Sequence, residues 1–468
     1  MLDTHNTSIV DLFNESKKKS IRENREILLS YTFEIPEIDL VSVYSNAHEY
    51  KGSRLFWSSQ DVQQVGIERA YKFILQHNNY AFIDKQLSSF RERSITNNKE
   101  SETGPVFFTV FSFDDVKQSK HIWEGIPKSL CVLPKYLFTK KGKFYWVTIN
   151  LIITPLTDYR DILCSIKFIN EITTKSKYFV MDNIKNKDLI IEEIGKEEWI
   201  KSVEEVIKNI KTGKSNKVVM ARSLKLENKK GFCIPLIINN LIHNEPQTYI
   251  YALEYKDICF IGASPERLVK KTGNYVMSAC VAGAAKRGNN LREDISIKKE
   301  LLNDSKNIKE HKYVVDMIKS SLEPLLETIE IAERPQLLTN TNLVHLYTPI
   351  KGKLKSYISL LEIVEILHPT PALNGTPTNE ARELIRYFEK IDRGWYGGPL
   401  GWVNLDNDGE FIVAIRSGCL KKNEGYLFAG CGIVDQSNPL MEYEETRIKF
   451  QPMLNAISGS ITKNHTYK

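Results

Sequence analysis

The spacing of apolar residues changes several times along the second half of the chain, and each change marks an element. In residues 196–213, Ile200, Val203, Ile207 and Ile210 recur at helical spacing, and Gly213 stands where a C-terminal cap belongs. The runs KVVMARSLKL (217–226) and DICFIGASPE (257–266) then predict strands. Helical periodicity returns through 293–322, read as two helices, and strands are predicted again at 342–350 and 410–420. Residues 438–454 close the pattern as a helix, with Asn438 as N-cap and Pro439 at the first helical position.

The first half is punctuated more often by polar residues. PVFFTVFSF (105–113) and GKFYWVTINLIIT (142–154) read as strands, residues 1–30 as a peripheral helix or arm, 90–104 as a surface loop and 176–188 as a second connection. With no repeat and no strict strand–helix alternation, the pattern favours an α+β fold over a doubly wound sheet.

Composition narrows the class. At 468 residues the chain has room for about three domains, and 42% hydrophobic with 26% charged residues is ordinary for a globular protein. A net charge of +6, without a clustered basic face, argues against a nucleic-acid partner. The seven cysteines form no C-x-x-C pair and lie mostly in apolar runs, as reduced thiols of a cytoplasmic protein would. The N-terminus has no apolar core of a signal peptide, and no apolar stretch is long enough to span a membrane.

Two motif look-alikes fail on context. Gly213-Lys214-Ser215 ends like a P-loop, but Lys208 replaces the first glycine and the helix precedes the motif. GASPE (262–266) begins like a nucleophile elbow but ends in Glu266. The nine histidines show no metal-binding spacing.

Several residues could carry chemistry. Glu442, Glu445 and Lys449 share one helix face, either as an exposed salt-bridged stripe or as carboxylates for a hard cation such as Mg²⁺. Arg416 ends an apolar strand, either snorkelling to the edge or presenting a fork to a carboxylate. The glycine-dense 429–432 is a tight turn or an anion cradle. Lys217 and Glu266 at strand ends could act as base and acid if the fold brings them together. Spacing leaves each pair of readings open.

Ten ordered blocks resemble the chorismate-utilising enzymes. They include KVVMARS (217–223), FIGASPERL (260–268), SACVAGAAKRG (278–288), KEHKYVVDMI (309–318), LHPTPALNGTP (367–377), FIVAIRSG (411–418) and PLMEYEETRIK (439–449). The resemblance covers about residues 200 to 455 and is looser before them. It implies a single large α+β domain with two stacked, mainly antiparallel sheets and outer helices. Residues 1–200 would form the variable portion and 201–460 the chorismate-binding portion.

Lys217, where aminating members carry Gln, and the LHPTPALNG block resemble the branch that adds water to chorismate and forms isochorismate. The length is more like its menaquinone-pathway type; a siderophore-pathway enzyme of the same branch or a salicylate-forming enzyme is the alternative. The same resemblance implies Lys217 as general base, Glu266 as acid, Glu310 and Glu445 as Mg²⁺ ligands, and Glu442 as a further acid. It also implies that Arg416, Lys449, Gly430, Gly432, Gly283, Ala284, His345 and Tyr396 contact substrate. A monomer or homodimer without membrane or nucleic-acid partners is expected.

Overall fold

A computed structural model describes residues 2–98, 100–116, 121–179, 189–288, 290–339 and 343–459. Among these, twenty-one strands form one hydrogen-bonded network, accompanied by eleven α-helices. Pairing is antiparallel throughout except where Ser94–Thr96 runs parallel to Ile27–Glu34. The long strand Ser129–Lys141 joins two layers. It pairs with Val62–Leu75 along its whole length, with Phe144–Ile153 at one end and with Val106–Phe111 at the other.

Alternation along the strands sorts most apolar side chains into three large cores, with a small fourth cluster of Leu301, Val344 and Leu346. Between the layers lie Trp57, Phe108, Val110, Tyr251, Phe260, Ile412 and Phe428. The intervening residues face outward under helices: Phe56, Ile250 and Ile261 on one side, Phe107, Phe111, Phe411 and Val413 on the other. The strands are therefore buried on both faces, which explains why so many read as continuous apolar runs. The expected stacked α+β architecture is present, and the three-domain estimate from length is not.

Chain halves interlock. Arg54–Ser58 pairs with Tyr249–Tyr255, and Val106–Phe111 with Pro399–Asn404. No helix among the described residues is long and apolar enough to cross a membrane.

The helix Lys196–Lys211 ends before Gly213, whose φ is +81°. Two helices, Leu291–Leu301 and Ser305–Leu322, occupy the 293–322 region. Asn438 caps Pro439–Ser458 by accepting from the backbone N–H of Leu440 and Met441.

Three expectations change. Residues 1–30 hold the helix Leu2–Glu23, but their end enters the strand Ile27–Glu34, paired with Phe144–Ile153. The 90–104 segment is not simply a surface loop: it ends a helix, adds the strand Ser94–Thr96 and buries Glu102 and Thr103. Its polar groups are tied inward, as where Gln64 Nε2 donates to the Glu102 carbonyl. The run 410–420 breaks into Gly409–Val413 and Ser417–Lys421, with Arg416 at φ +52° in the corner. Of the 176–188 connection, only 176–179 lie within the described residues.

Candidate active site

The start of the strand Lys217–Asn228 is fixed from its flank. Gly375 and Thr376 pair with Val218 and Lys217, and Ser215 Oγ lies within 3.0 Å of the carbonyls of Lys217 and Thr376. The Gly-Lys-Ser segment is thus a structural clasp. On its other edge the strand pairs with Glu424–Ile433, setting Gly432 opposite Val219 and Gly430 opposite Ala221. Gly432 must be small, because a Cβ there would lie 2.6 Å from Lys217 Cε and 3.0 Å from Glu310 Oε1.

A buried ion pair braces this wall from behind. Arg393 donates to both oxygens of Glu389 at 2.8 and 2.7 Å, and to the carbonyls of Leu373 and Val219 at 2.8 Å each. Glu389 in turn accepts the Ala221 N–H at 2.7 Å. Both charges are saturated, and the backbone they hold is cavity wall.

The opposite wall comes from Tyr275–Lys286 and Leu343–Leu354. Their register shifts between Val281 and Ala284, then resumes with Ala284 opposite His345. Gly283, at φ +77°, makes this bulge, and a Cβ on it would press on Asn307 at 3.2 Å. His311, next to Glu310, turns away to Ala282 O (2.9 Å) and Thr348 Oγ1 (2.8 Å) and belongs to the wall's support.

These elements enclose a cavity of about 210 Å³. Its lining includes Glu266, Gly283, Ala284, Glu310, His345, Tyr396, Arg416, Gly430, Gly432, Glu442, Glu445 and Lys449. Lys217, 1% exposed, reaches the same place from beneath Gly432, its Nζ 2.6 Å from Glu310 Oε1. All residues implied by the resemblance therefore converge, although they span more than 230 positions. Sequence reading missed Asn307, whose place at the start of a helix signalled capping, and Phe428, an ordinary strand residue. It also missed Glu245, buried beside Arg416.

The helix stripe is pocket wall. Glu442 is buried and accepts from Ser437 Oγ at 2.7 Å; Lys449 donates to the Gly430 carbonyl at 2.9 Å and pairs with Glu445 at 2.6 Å. Arg416 does not snorkel. It is buried, and its guanidinium makes no hydrogen bond or ion pair with a described residue.

Burial sets the protonation states. It raises the Glu266 carboxyl to about 8, with Lys217, Arg416 and Lys449 opposing, so the acid keeps its proton at neutral pH. Burial, helped by Arg416 and Lys449, lowers His345 to about 3 and leaves a neutral imidazole whose Nε2 has no partner among the described residues. Tyr396 is pushed up to about 12 by burial and remains a phenol. Burial works against the Lys449 charge, but Glu445 beside it holds the ammonium above its usual value. Ser264, the elbow look-alike, is fully buried and donates to Val413 O at 2.7 Å.

The donor set also fits a hard cation. Glu310 and Glu445 bring carboxylates from different helices to one cavity, and no cluster of three or more metal-ligating side chains forms among the described residues. Two carboxylates with room for waters and substrate oxygens match the usual supply for Mg²⁺. In this structure each is held by a lysine at 2.6 Å.

Comparison with known proteins places this arrangement. The family model described as "Chorismate binding enzyme" matches residues 14–458. The chain is 35% identical over 456 residues to the isochorismate synthase MenF of Bacillus subtilis, covering 94% of this chain and 96% of that one. It is 38% identical over 263 residues to the salicylate biosynthesis isochorismate synthase of Pseudomonas aeruginosa, covering 56% and 55%. The solved structure of the menaquinone-specific isochorismate synthase MenF from Escherichia coli shares the fold, with a TM-score of 0.77 at 21% identity over 95% of this chain and 100% of that one. The chain belongs to the chorismate-binding enzyme family.

Proposed function

We propose that this chain converts chorismate to isochorismate, adding water at C2 of the ring and expelling the C4 hydroxyl, with Mg²⁺ as cofactor and in a reversible reaction. The carrying observation is a buried, proton-bearing Glu266 facing the same cavity as buried Lys217. The net reaction needs one group to take a proton from water and another to give one to the departing hydroxyl.

In this reading Lys217 takes the proton of the attacking water while Glu266 protonates the C4 oxygen, which leaves as water. The carboxyl stays neutral because its burial outweighs the pull of the three cations near it, so the proton is in place before substrate arrives. Arg416, whose guanidinium has no partner among the described residues, offers its fork to a substrate carboxylate, with Lys449 adding charge and the glycines 430 and 432 letting backbone approach. The Gly283 bulge, Ala284, neutral His345 and Tyr396 shape the ring pocket. Glu310 and Glu445 would hold Mg²⁺, with Glu442 nearby; when bound, the ion neutralises the ring carboxylate and orients the ring.

The full-length match to the Bacillus subtilis MenF, against about half the chain for the Pseudomonas relative, supports a menaquinone-pathway role. Seven free cysteines, five of them buried, support a cytoplasmic location.

Purified protein mixed with chorismate and Mg²⁺, with and without ammonium and with EDTA as control, tests the reading by chromatography of products. Isochorismate alone, lost on chelation, is expected. Salicylate with pyruvate, an aminated product or no turnover would each overturn it. Lys217→Ala is expected to abolish turnover and retain Mg²⁺-dependent chorismate binding.

A further inference from the structure

A small polar space of about 20 Å³ lies against Arg416 and Pro265, which also line the active cavity. Glu245 and Thr248 supply the rest of its polar lining. Glu245 stands at the end of the helix Ile234–Asn244. Its N–H donates to the Leu241 carbonyl at 2.8 Å, and its own carbonyl accepts from the N–H and Oγ1 of Thr248 at 3.1 and 2.8 Å. The strand Tyr249–Tyr255 follows this turn and ties it to the arginine corner. Ile250 pairs with Ala263, whose N–H donates to the Arg416 carbonyl at 3.1 Å.

The Glu245 side chain is badly placed for stability. It is 6% exposed, and its carboxyl makes no hydrogen bond or ion pair with a described residue. A carboxylate there also meets the negative end of the helix dipole. Burial and dipole both oppose it, and an apolar side chain would be more stable in its place. What it faces is Arg416: of the groups around that guanidinium, Glu245 acts on it most strongly, ahead of Tyr396, Glu445 and Glu266. The Glu245 oxygens and the Arg416 nitrogens are not fully occluded, so water can reach both.

We propose that Glu245 is a positioning residue for Arg416, acting through one buried water that accepts from the guanidinium and donates to the Glu245 carboxyl and Thr248 Oγ1. The inference rests on the reading above that Arg416 binds a carboxylate of chorismate. A buried water takes about 10–15 Å³ and makes about three hydrogen bonds, which matches this space and its three polar groups. Tied along one edge, the guanidinium keeps its other edge aimed at the substrate. Burial raises the Glu245 carboxyl to about 7, with Arg416 opposing, but an oxygen accepts in either protonation state.

The test is calorimetric binding of chorismate to the full chain with Mg²⁺, beside kcat and the urea midpoint. Glu245→Leu should weaken chorismate about five- to tenfold at unchanged kcat, the loss of one hydrogen bond's worth of uniform binding, without lowering the urea midpoint. Glu245→Gln keeps an accepting oxygen and should bind chorismate as the wild type does. In an Arg416→Gln background the Glu245→Leu penalty should vanish, whereas a merely structural role would leave it in place. Wild-type binding by Glu245→Leu, an equal loss in Glu245→Gln, or a penalty that persists without Arg416 would each overturn the proposal. A high-resolution crystal structure of the wild type decides it independently of any variant. It should place a water within about 3.2 Å of both groups, and direct contact between Glu245 and Arg416, or a dry space, would overturn the inference. If Arg416→Gln alone left chorismate binding intact, the assignment of Arg416 itself would fall, and this proposal with it.

Discussion

Two buried arginines, Arg393 and Arg416, sit on either side of one wall and are treated in opposite ways. Arg393 has four hydrogen bonds to Glu389 and two carbonyls, and its partner carboxylate takes a backbone N–H besides. Arg416 is held at a left-handed corner, its guanidinium without a partner among the described residues, within the field of Glu245, Glu445 and Glu266. A saturated buried charge can only hold structure. One left unsaturated costs stability and keeps its donors for a ligand. Glu266 is the acidic counterpart: buried near three cations yet kept neutral, with its proton available.

The contrast can be broken most forcefully at Glu266. Glu266→Gln keeps the neutral shape, so turnover should fall by about 10²–10⁴ while the urea midpoint at pH 7 does not drop. Glu389→Gln should do the reverse in stability, losing about 3–5 kcal/mol because Arg393 is left buried and unmatched, as read from the same denaturation. Arg416→Gln should raise KM for chorismate by about ten- to a hundredfold, the worth of a charged hydrogen bond of ~1.5–3 kcal/mol, with no loss of stability. If Arg416→Gln and Glu389→Gln lowered the urea midpoint equally, the distinction between the two arginines would be lost.

The smallest effect is on pH dependence. Because Glu266 is raised from 4.5 to about 8 on folding, its contribution to stability is complete below about pH 4.5 and is lost as pH rises through about 8. Activity should decline over the same alkaline limb as the acid ionises. A kcat/KM profile from pH 6 to 9 should fall above about 8, and the alkaline loss of stability should be smaller in Glu266→Gln.

Much of this was legible in the chain. The helix stop at Gly213, the Asn438 cap and the strand at 217 obeyed local rules, because their signals are written within a few residues. The chemical status of Glu442 and Arg416 was not, since an i, i+3, i+7 stripe looks alike whether it faces water or a pocket. Resemblance supplied their roles, and the fold showed Arg416 inside. The corner at 414–416 escaped because apolar alternation continues through it while the hydrogen-bond ladder does not. Glu245 and Phe428 escaped for a simpler reason: nothing in a lone acid or a strand phenylalanine announces what lies opposite it. Burial of Glu102 and Thr103 was hidden by the polar composition around them, as where the Glu102 carbonyl accepts from Gln64.

The interlocking of the halves has a kinetic consequence. Val110 finds Leu400, and Leu55 finds Leu253, only after long stretches of chain have been laid down between them. Such non-local pairings fold slowly, and their apolar edges stay open in the meantime. Yield of native protein should therefore depend on how fast chains are made and how crowded they are while unfinished, more than on the stability of the finished molecule.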